Sequence, residues 1–120
     1  MPSHKTLFEL ARETRWAAAR PALRENPVAA PEAYYRWLNS EAASLDLWET
    51  EYQHVLEGEN PVPQWFMGSV LRPALDILPK DKQPDFLAEY GKRVAALYKP
   101  QVGGRTLLAM RRLFIVATRR

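Results

Sequence analysis

The chain has 120 residues, 47 % hydrophobic and 26 % charged, with no cysteine, ten prolines, five glycines and a formal charge of +3. That length suits one small domain with a modest core, and the apolar content excludes a disordered tail. The missing cysteines exclude a disulfide framework, thiolate metal sites and a cysteine nucleophile, and make a reducing, cytoplasmic setting the default.

Residues 3–24 read as a helix, with Ser3 as N-cap and Leu7, Leu10, Ala11, Thr14 and Ala18 on one face. Pro21 ends or kinks it. The stretch from Arg24 to Pro31 is a polar, proline-bounded connector, and Pro31 is placed to start a second helix over Glu32 to Ala42. From Ser44 to Val55 the pattern changes to period two, which predicts a strand. Its early half is apolar on one face and its later half on the other, so a bulge or twist near 48–50 is needed to keep one face inward.

Glu57 to Pro63 is a turn, after which a third helix carries Val62, Trp65, Phe66, Ser69 and Val70 toward a core until Leu71-Arg72-Pro73 interrupts it. Pro84 to Tyr98 is the clearest helix. Phe86, Tyr90, Val94 and Leu97 form its apolar stripe, with Asp85 and Glu89 early and Lys92, Arg93 and Lys99 late, as the helix dipole favours. Pro100 and the pair Gly103-Gly104 stop it. Thr106 to Thr118 reads as a strand, and its continuous apolar run from Leu113 to Ala117 is the pattern of a strand buried on both faces.

Several function classes drop out. No run of about 18 apolar residues exists to span a bilayer, and the start of the chain turns amphipathic, unlike a secretory signal. The glycines, at 58, 68, 91, 103 and 104, spell neither GxGxxG nor the GxxxxGK phosphate loop. Charge is uneven: residues 31–60 hold seven acids against Arg36 alone, whereas residues 101–120 hold five arginines and no acid. Either the arginine-rich segment holds an anion or nucleic acid, or it lies beside the acidic segment and neutralises it. The arginines flank an apolar run instead of alternating with exposed aromatics, which favours neutralisation over nucleic acid.

Two strands, one with the pattern of burial on both sides, do not make a satisfied sheet by themselves. The fold class is α/β but partial: about four helices plus a strand pair belonging to a larger sheet.

Ala33-Tyr34-Tyr35, the string Leu45-Asp46-Leu47-Trp48-x-Thr50-x-Tyr52-x-His54, the segment from Trp65 to Leu71-Arg72-Pro73, Phe86-Leu87-x-x-Tyr90 and above all Arg112 to Ala117 carry a resemblance over nearly the whole chain. In order and spacing they resemble the C-terminal half of the trans-aconitate 2-methyltransferase family, which uses S-adenosyl-L-methionine on the class I methyltransferase fold. The resemblance implies that the two strands are the sixth and seventh of that fold, an antiparallel pair with the seventh inserted between the fifth and sixth. It implies that residues 1–120 are the substrate-side part of a methyltransferase domain beginning at an internal methionine. The cofactor-binding half is then absent, S-adenosyl-L-methionine is not expected to bind this chain alone, and the chain is inactive by itself. The complete enzyme would act on a small polycarboxylate such as trans-aconitate. The competing reading is a non-catalytic module that forms a homo-oligomer, or pairs with another protein, through its exposed sheet edge.

Four residues are candidates for substrate contact: Arg72, Tyr52, His54 and Trp65. Arginine gives bidentate, permanently charged recognition of carboxylates; the structural alternative for Arg72 is a helix-end arginine paired with an acid or with backbone carbonyls. Ser69-Val70 stands where the family tends to have a small, Thr-Gly-like pair. Tyr52 and His54 share one strand face and either border an acceptor pocket or form a packed, hydrogen-bonded pair. No catalytic residue is expected, because a carboxylate acceptor is already anionic and needs positioning and desolvation instead of a strong base. Trp16, Trp37, Trp48 and Trp65, with Tyr34, Tyr35, Tyr90 and Tyr98, read as core and lid in preference to an aromatic cage. His4 has no ligand partner in the sequence, so no metal site is expected.

Overall fold

Residues 1–23 and 28–120 are described in the computed structural model. The first helix, α1, runs over Pro2–Arg12, with Met1 as N-cap and Ser3 buried one step inside it. Ser3 therefore packs and does not cap. The helix stops at Glu13, whose ψ of 140° is extended, and the chain resumes as a 3-10 segment over Thr14–Ala22. Three residues per turn brings Trp16 and Ala19 inward, while Thr14 and Ala18, placed on the core face by α-helical spacing, stay exposed. The connector from Arg24 to Pro27 falls outside the described residues.

The next helix, α2, covers Pro31–Leu38, and the strand β1 covers Ala42–Leu56. After the turn, α3 (Val62–Phe66), a π-helical turn (Met67–Leu71) and α4 (Arg72–Ile77) follow without a break in helical backbone. Pro73 cannot donate an amide to the preceding turn, and the backbone ahead of it widens. The extra residue changes which side chains face inward. Val62 and Phe66 are buried, and the row continues at Leu71, five residues on, then at Ala74, Leu75 and Leu78. Trp65, Ser69 and Val70 are turned out of that row.

Helix α5 spans Gln83–Leu97. Phe86, Tyr90 and Val94 are each 0 % exposed, but Leu97 is not on their stripe: four-residue steps continue to Tyr98, whose hydroxyl accepts a bond from the Ser3 amide at 3.1 Å. No basic residue lies in its last turn. Arg93 is one turn earlier and is paired with Glu89. Gly103 and Gly104, at φ of 90° and 83°, make the reversal into β2, Thr106–Arg119.

The sheet consists of β1 and β2 alone among the described residues, paired antiparallel. In β1 Ala42 is buried, and the half-buried positions are Leu45 and Leu47, then Thr50, His54 and Leu56, so the sheltered positions pass from odd to even between Leu47 and Thr50 although Ala42 ahead of them is even. The run from Leu113 to Ala117 is not buried on both faces: Leu113, Phe114 and Ile115 are half-buried, and Val116 and Ala117 exposed. A strand with one partner leaves its other edge and much of its faces open.

The chain divides into two compact units, Met1–Arg24 with His54–Leu108, and Glu25–Gln53 with Ala109–Arg120. The first holds nearly all of the described core, built on α1, the 3-10 segment, α3, α4 and α5. In the second, Ala42 is the buried apolar residue, and α2 buries none.

Phe86→Ala removes a ring from the centre of the first unit and is expected to cost about 3–5 kcal/mol. Trp37→Ala, at a position 63 % exposed, is expected to stay within about 0.5 kcal/mol of the parent. Urea unfolding of both variants checks the assignment, and equal losses contradict it.

Candidate functional site

The four candidate residues fall in both units. In the first unit, His54 leaves β1 half-buried, and its ring lies 4.9 Å from that of Trp65 on α3, tilted by 41°. The turn between them makes this approach possible. Gly58 has φ of 98°, and Asn60 takes φ of 45°, an unusual value for a residue with a side chain. Asn60 is held there by its Nδ2, which donates to the Gly91 carbonyl at 2.9 Å and ties the turn to α5.

Arg72 opens α4 with its side chain about half exposed, and its guanidinium lies 3.8 Å from Asp76 one turn later. Helical spacing alone accounts for that pair. It is too long and too exposed to add much stability. Tyr52 belongs to the second unit, where the Arg112 guanidinium sits over its ring at 5.7 Å. The structure thus brings His54 and Trp65 together, pairs Arg72 with a neighbouring acid and gives Tyr52 a cation above its ring. One arginine of β2 meets an acid of β1, and a second such pair lies just beyond the strand ends. Arg111 lies 3.8 Å from Glu49 in the second unit, and Arg105 lies 3.3 Å from Glu57 in the first.

Two arrangements in the first unit were not apparent in the sequence. Glu13, the residue that ends α1, receives Arg93 at 2.8 Å and Arg15 at 3.1 Å, while Arg93 also holds Glu89 at 2.9 Å. The Arg93 and Arg15 bonds keep the Glu13 carboxyl below its ordinary value, against the opposing effect of desolvation. Glu89 and Arg93, four apart on one helix, were a legible pair; their third member comes from another element. The same network borders a groove of about 450 Å³ beside Trp16, whose ring carries the Arg15 guanidinium at 3.7 Å.

The second arrangement lies under α1. The His4 ring meets Phe66 edge-on at 4.9 Å and its Nδ1 lies 3.3 Å from the Ser3 hydroxyl. Burial, helped by the nearby terminal ammonium, lowers the His4 pKa. Tyr90 is buried in the same region, and desolvation raises its pKa far above the ordinary tyrosine value. Among the described residues no group of three His, Asp or Glu is placed to hold a metal, and no helix is long and apolar enough to cross a membrane.

No family model matches the chain. It is similar to a trans-aconitate 2-methyltransferase of Rhizobium rhizogenes, 37 % identical over 121 residues, covering 99 % of this chain and 47 % of the relative. A protein of the same name from Methylobacterium nodulans is 39 % identical over 120 residues, with 98 % and 46 % covered. One from Sinorhizobium fredii is 38 % identical over 120, with 98 % and 47 % covered. The chain spans about half the length of the curated relatives it matches, consistent with a C-terminal half.

Two groups in this region make stability depend on acid. His4 has a folded pKa below its unfolded value of 6.5, so its neutral form contributes stability that is lost as pH falls from about 6.5. Glu13 has a folded pKa below 4.5, so its contribution persists at pH 5 and disappears as pH drops below 4.5 toward its folded value. Thermal midpoints of His4→Phe are expected to fall less than the parent's between pH 7 and 5, and those of Glu13→Gln less between pH 4.5 and 2.5. Parallel curves for parent and variant in either window remove that group from the account.

Proposed function

We infer that this chain, which belongs to the trans-aconitate 2-methyltransferase family and spans about half the length of its relatives there, supplies the acceptor-binding side of such a methyltransferase. The observation that carries the reading is the similarity itself: it runs over 98–99 % of this chain at 37–39 % identity, and the relatives share one name. In this reading residues 1–120 are the substrate-side part of a longer catalytic domain, and the acceptor is a small polycarboxylate of the trans-aconitate type.

The methyl donor proposed for the complete enzyme is S-adenosyl-L-methionine, and the residues present do not fit it. A nucleoside cofactor of this kind is held in an open α/β sheet at the crevice outside the carboxyl ends of parallel strands, where a strand turns through glycines into a helix. Here the glycine pair 103–104 leads into a strand, and the turn at Gly58 leads into a helix of five residues. Neither turn follows a parallel strand, because the described sheet is one antiparallel pair. No step of the transfer is assigned to this chain, and it is inactive alone.

What the chain contributes is binding and orientation. An acceptor carboxylate is already a nucleophile, so holding it in a water-poor, cationic setting is the main requirement. Arg72 is the residue proposed to grip a carboxylate, since its bond to Asp76 is weak enough to be exchanged for a bidentate one. His54 and Trp65, in contact with each other in the same unit, are proposed to line the acceptor's apolar and hydrogen-bonding side. Tyr52, in the other unit, is left out of this contact set.

The test is a radiolabelled methyl-transfer assay with trans-aconitate. The chain alone is expected to give no turnover. Mixed with a polypeptide matching the remaining half of the relatives, it is expected to give turnover, with Arg72→Ala raising KM about tenfold or more and Arg72→Lys partly restoring it. Turnover by the isolated chain defeats the inactivity, and an unchanged KM in Arg72→Ala defeats the assignment of Arg72.

A further inference from the structure

Helix α3 is held in the core of the first unit by its own residues: Pro61 and Val62 at its start and Phe66 at its end are buried. Trp65 is carried on that helix, its amide bonded to the Pro61 carbonyl at 3.0 Å. His54 reaches it from the other side, near the end of β1, and the turn from Glu57 to Asn60 joins strand to helix. The conformation of that turn therefore sets how the two rings approach.

The turn ends on an unfavourable backbone. Asn60 has φ of 45° and precedes Pro61, and a residue before proline is ordinarily driven to extended values. A left-handed residue persists in such a place only when its surroundings hold it. The hold is one bond: Asn60 Nδ2 donates to the Gly91 carbonyl at 2.9 Å, while its Oδ1 is buried and accepts no bond from the described residues. The turn also packs directly on α5, since a Cβ at Gly91 would stand 3.5 Å from Asn60 Nδ2 and 4.0 Å from Pro63 Cγ. Gly91 follows the wholly buried Tyr90, so the turn is tied to the packed centre of the unit.

We propose that Asn60 is a positioning residue of the acceptor site: its bond to Gly91 holds the turn that sets the His54 ring against Trp65, and it acts through those two rings. This rests on the reading in which His54 and Trp65 line the acceptor. Side chains that must be ordered when a ligand arrives cost affinity, so a pair already fixed in place binds better. Without the bond α3 stays where Val62 and Phe66 hold it, and the turn with His54 is released. Acceptor affinity is what Asn60 governs.

Two substitutions separate this role from general stability. Asn60→Asp keeps the shape but replaces the donor with a carboxylate oxygen facing the carbonyl, and Asn60→Gly removes the side chain while taking the left-handed backbone freely. The chain has two histidines, so its histidine ring resonances are few and each has its own aromatic neighbour, Trp65 for His54 and Phe66 for His4. Ring currents displace both sets of signals. In the full chain at one fixed pH, the displacement of His54, taken relative to Trp65→Leu, is expected to be largely lost in Asn60→Asp and Asn60→Gly, with His4 displaced as in the parent. Mixed with a polypeptide matching the remaining half of the relatives, Asn60→Asp is expected to raise KM for trans-aconitate about fivefold with kcat within about twofold, as is His54→Phe. An unchanged His54 displacement in both Asn60 variants overturns the proposal. Loss of both histidine displacements together also overturns it, because Asn60 then acts on the stability of the whole unit. If KM rises in only one of Asn60→Asp and His54→Phe, the proposal fails by itself. If KM rises in neither, the acceptor reading of His54 fails and takes the role of Asn60 in binding with it.

Discussion

Everything ordered in the first unit leans on one stripe of α5. Phe86, Tyr90 and Val94 follow at four-residue steps and are wholly buried, and α1, α3 and α4 are packed around that helix. The dependence is physical, because α3 and α4 have five and six residues and helices that short are not stable without tertiary packing. Trp16 meets Phe86 edge-on at 5.4 Å and fastens the 3-10 segment to the same face. Two polar clamps act on α5 as well: Asn60 holds the Gly91 carbonyl, and Glu13 holds Arg93. The first fixes the turn that brings His54 to Trp65, so the geometry of that candidate pair rests on α5 although neither residue belongs to it.

The second unit has no equivalent. Its aromatic residues Tyr35, Trp37, Trp48 and Tyr52 are largely exposed, and a strand pair with one short helix cannot bury its faces by itself. Stability in the chain is therefore uneven, with local opening expected first where buried apolar contacts are fewest. That asymmetry agrees with the coverage of the relatives, in which the matched region accounts for less than half of a longer protein. A sequence whose apolar run from Leu113 to Ala117 is suited to burial, set in a chain that leaves it half exposed, has surface that calls for cover.

Period and spacing made the α5 stripe, both strands and the cross-strand meeting of arginines with acids legible, because each rests on near neighbours or on strong alternation. What escaped was every place where the helical period itself changes. Glu13 breaks the first helix with no proline or glycine to announce it, so the α-helical spacing of Thr14 and Ala18 points to a face that does not exist there. Pro73 is legible as an interruption, but not as the cause of an inserted π turn that moves the buried row from Val70 to Leu71. For the candidate residues the divide is the same. The Arg72–Asp76 pair follows from an i,i+4 spacing, whereas the contact between His54 and Trp65 depends on a left-handed Asn60 that no local pattern specifies.

Register in the sheet has a cause other than burial. Burial fixes register firmly when one face is covered, and here it does so only near Ala42, Thr106 and Leu108, while the middle of both strands is half-buried or exposed. Trp48 stacks on Phe114 with rings 5.3 Å apart and 14° from parallel, and just beyond the strand ends Glu57 meets Arg105 at 3.3 Å. A two-residue slip one way sets Trp48 against Arg112 and Glu57 against Gly103; the other way sets Trp48 against Val116 and Glu57 against Leu107. Either slip loses an aromatic stack and an ion pair together. Exposed ion pairs add little stability, yet as one of two coincident constraints they distinguish registers that burial leaves nearly equal.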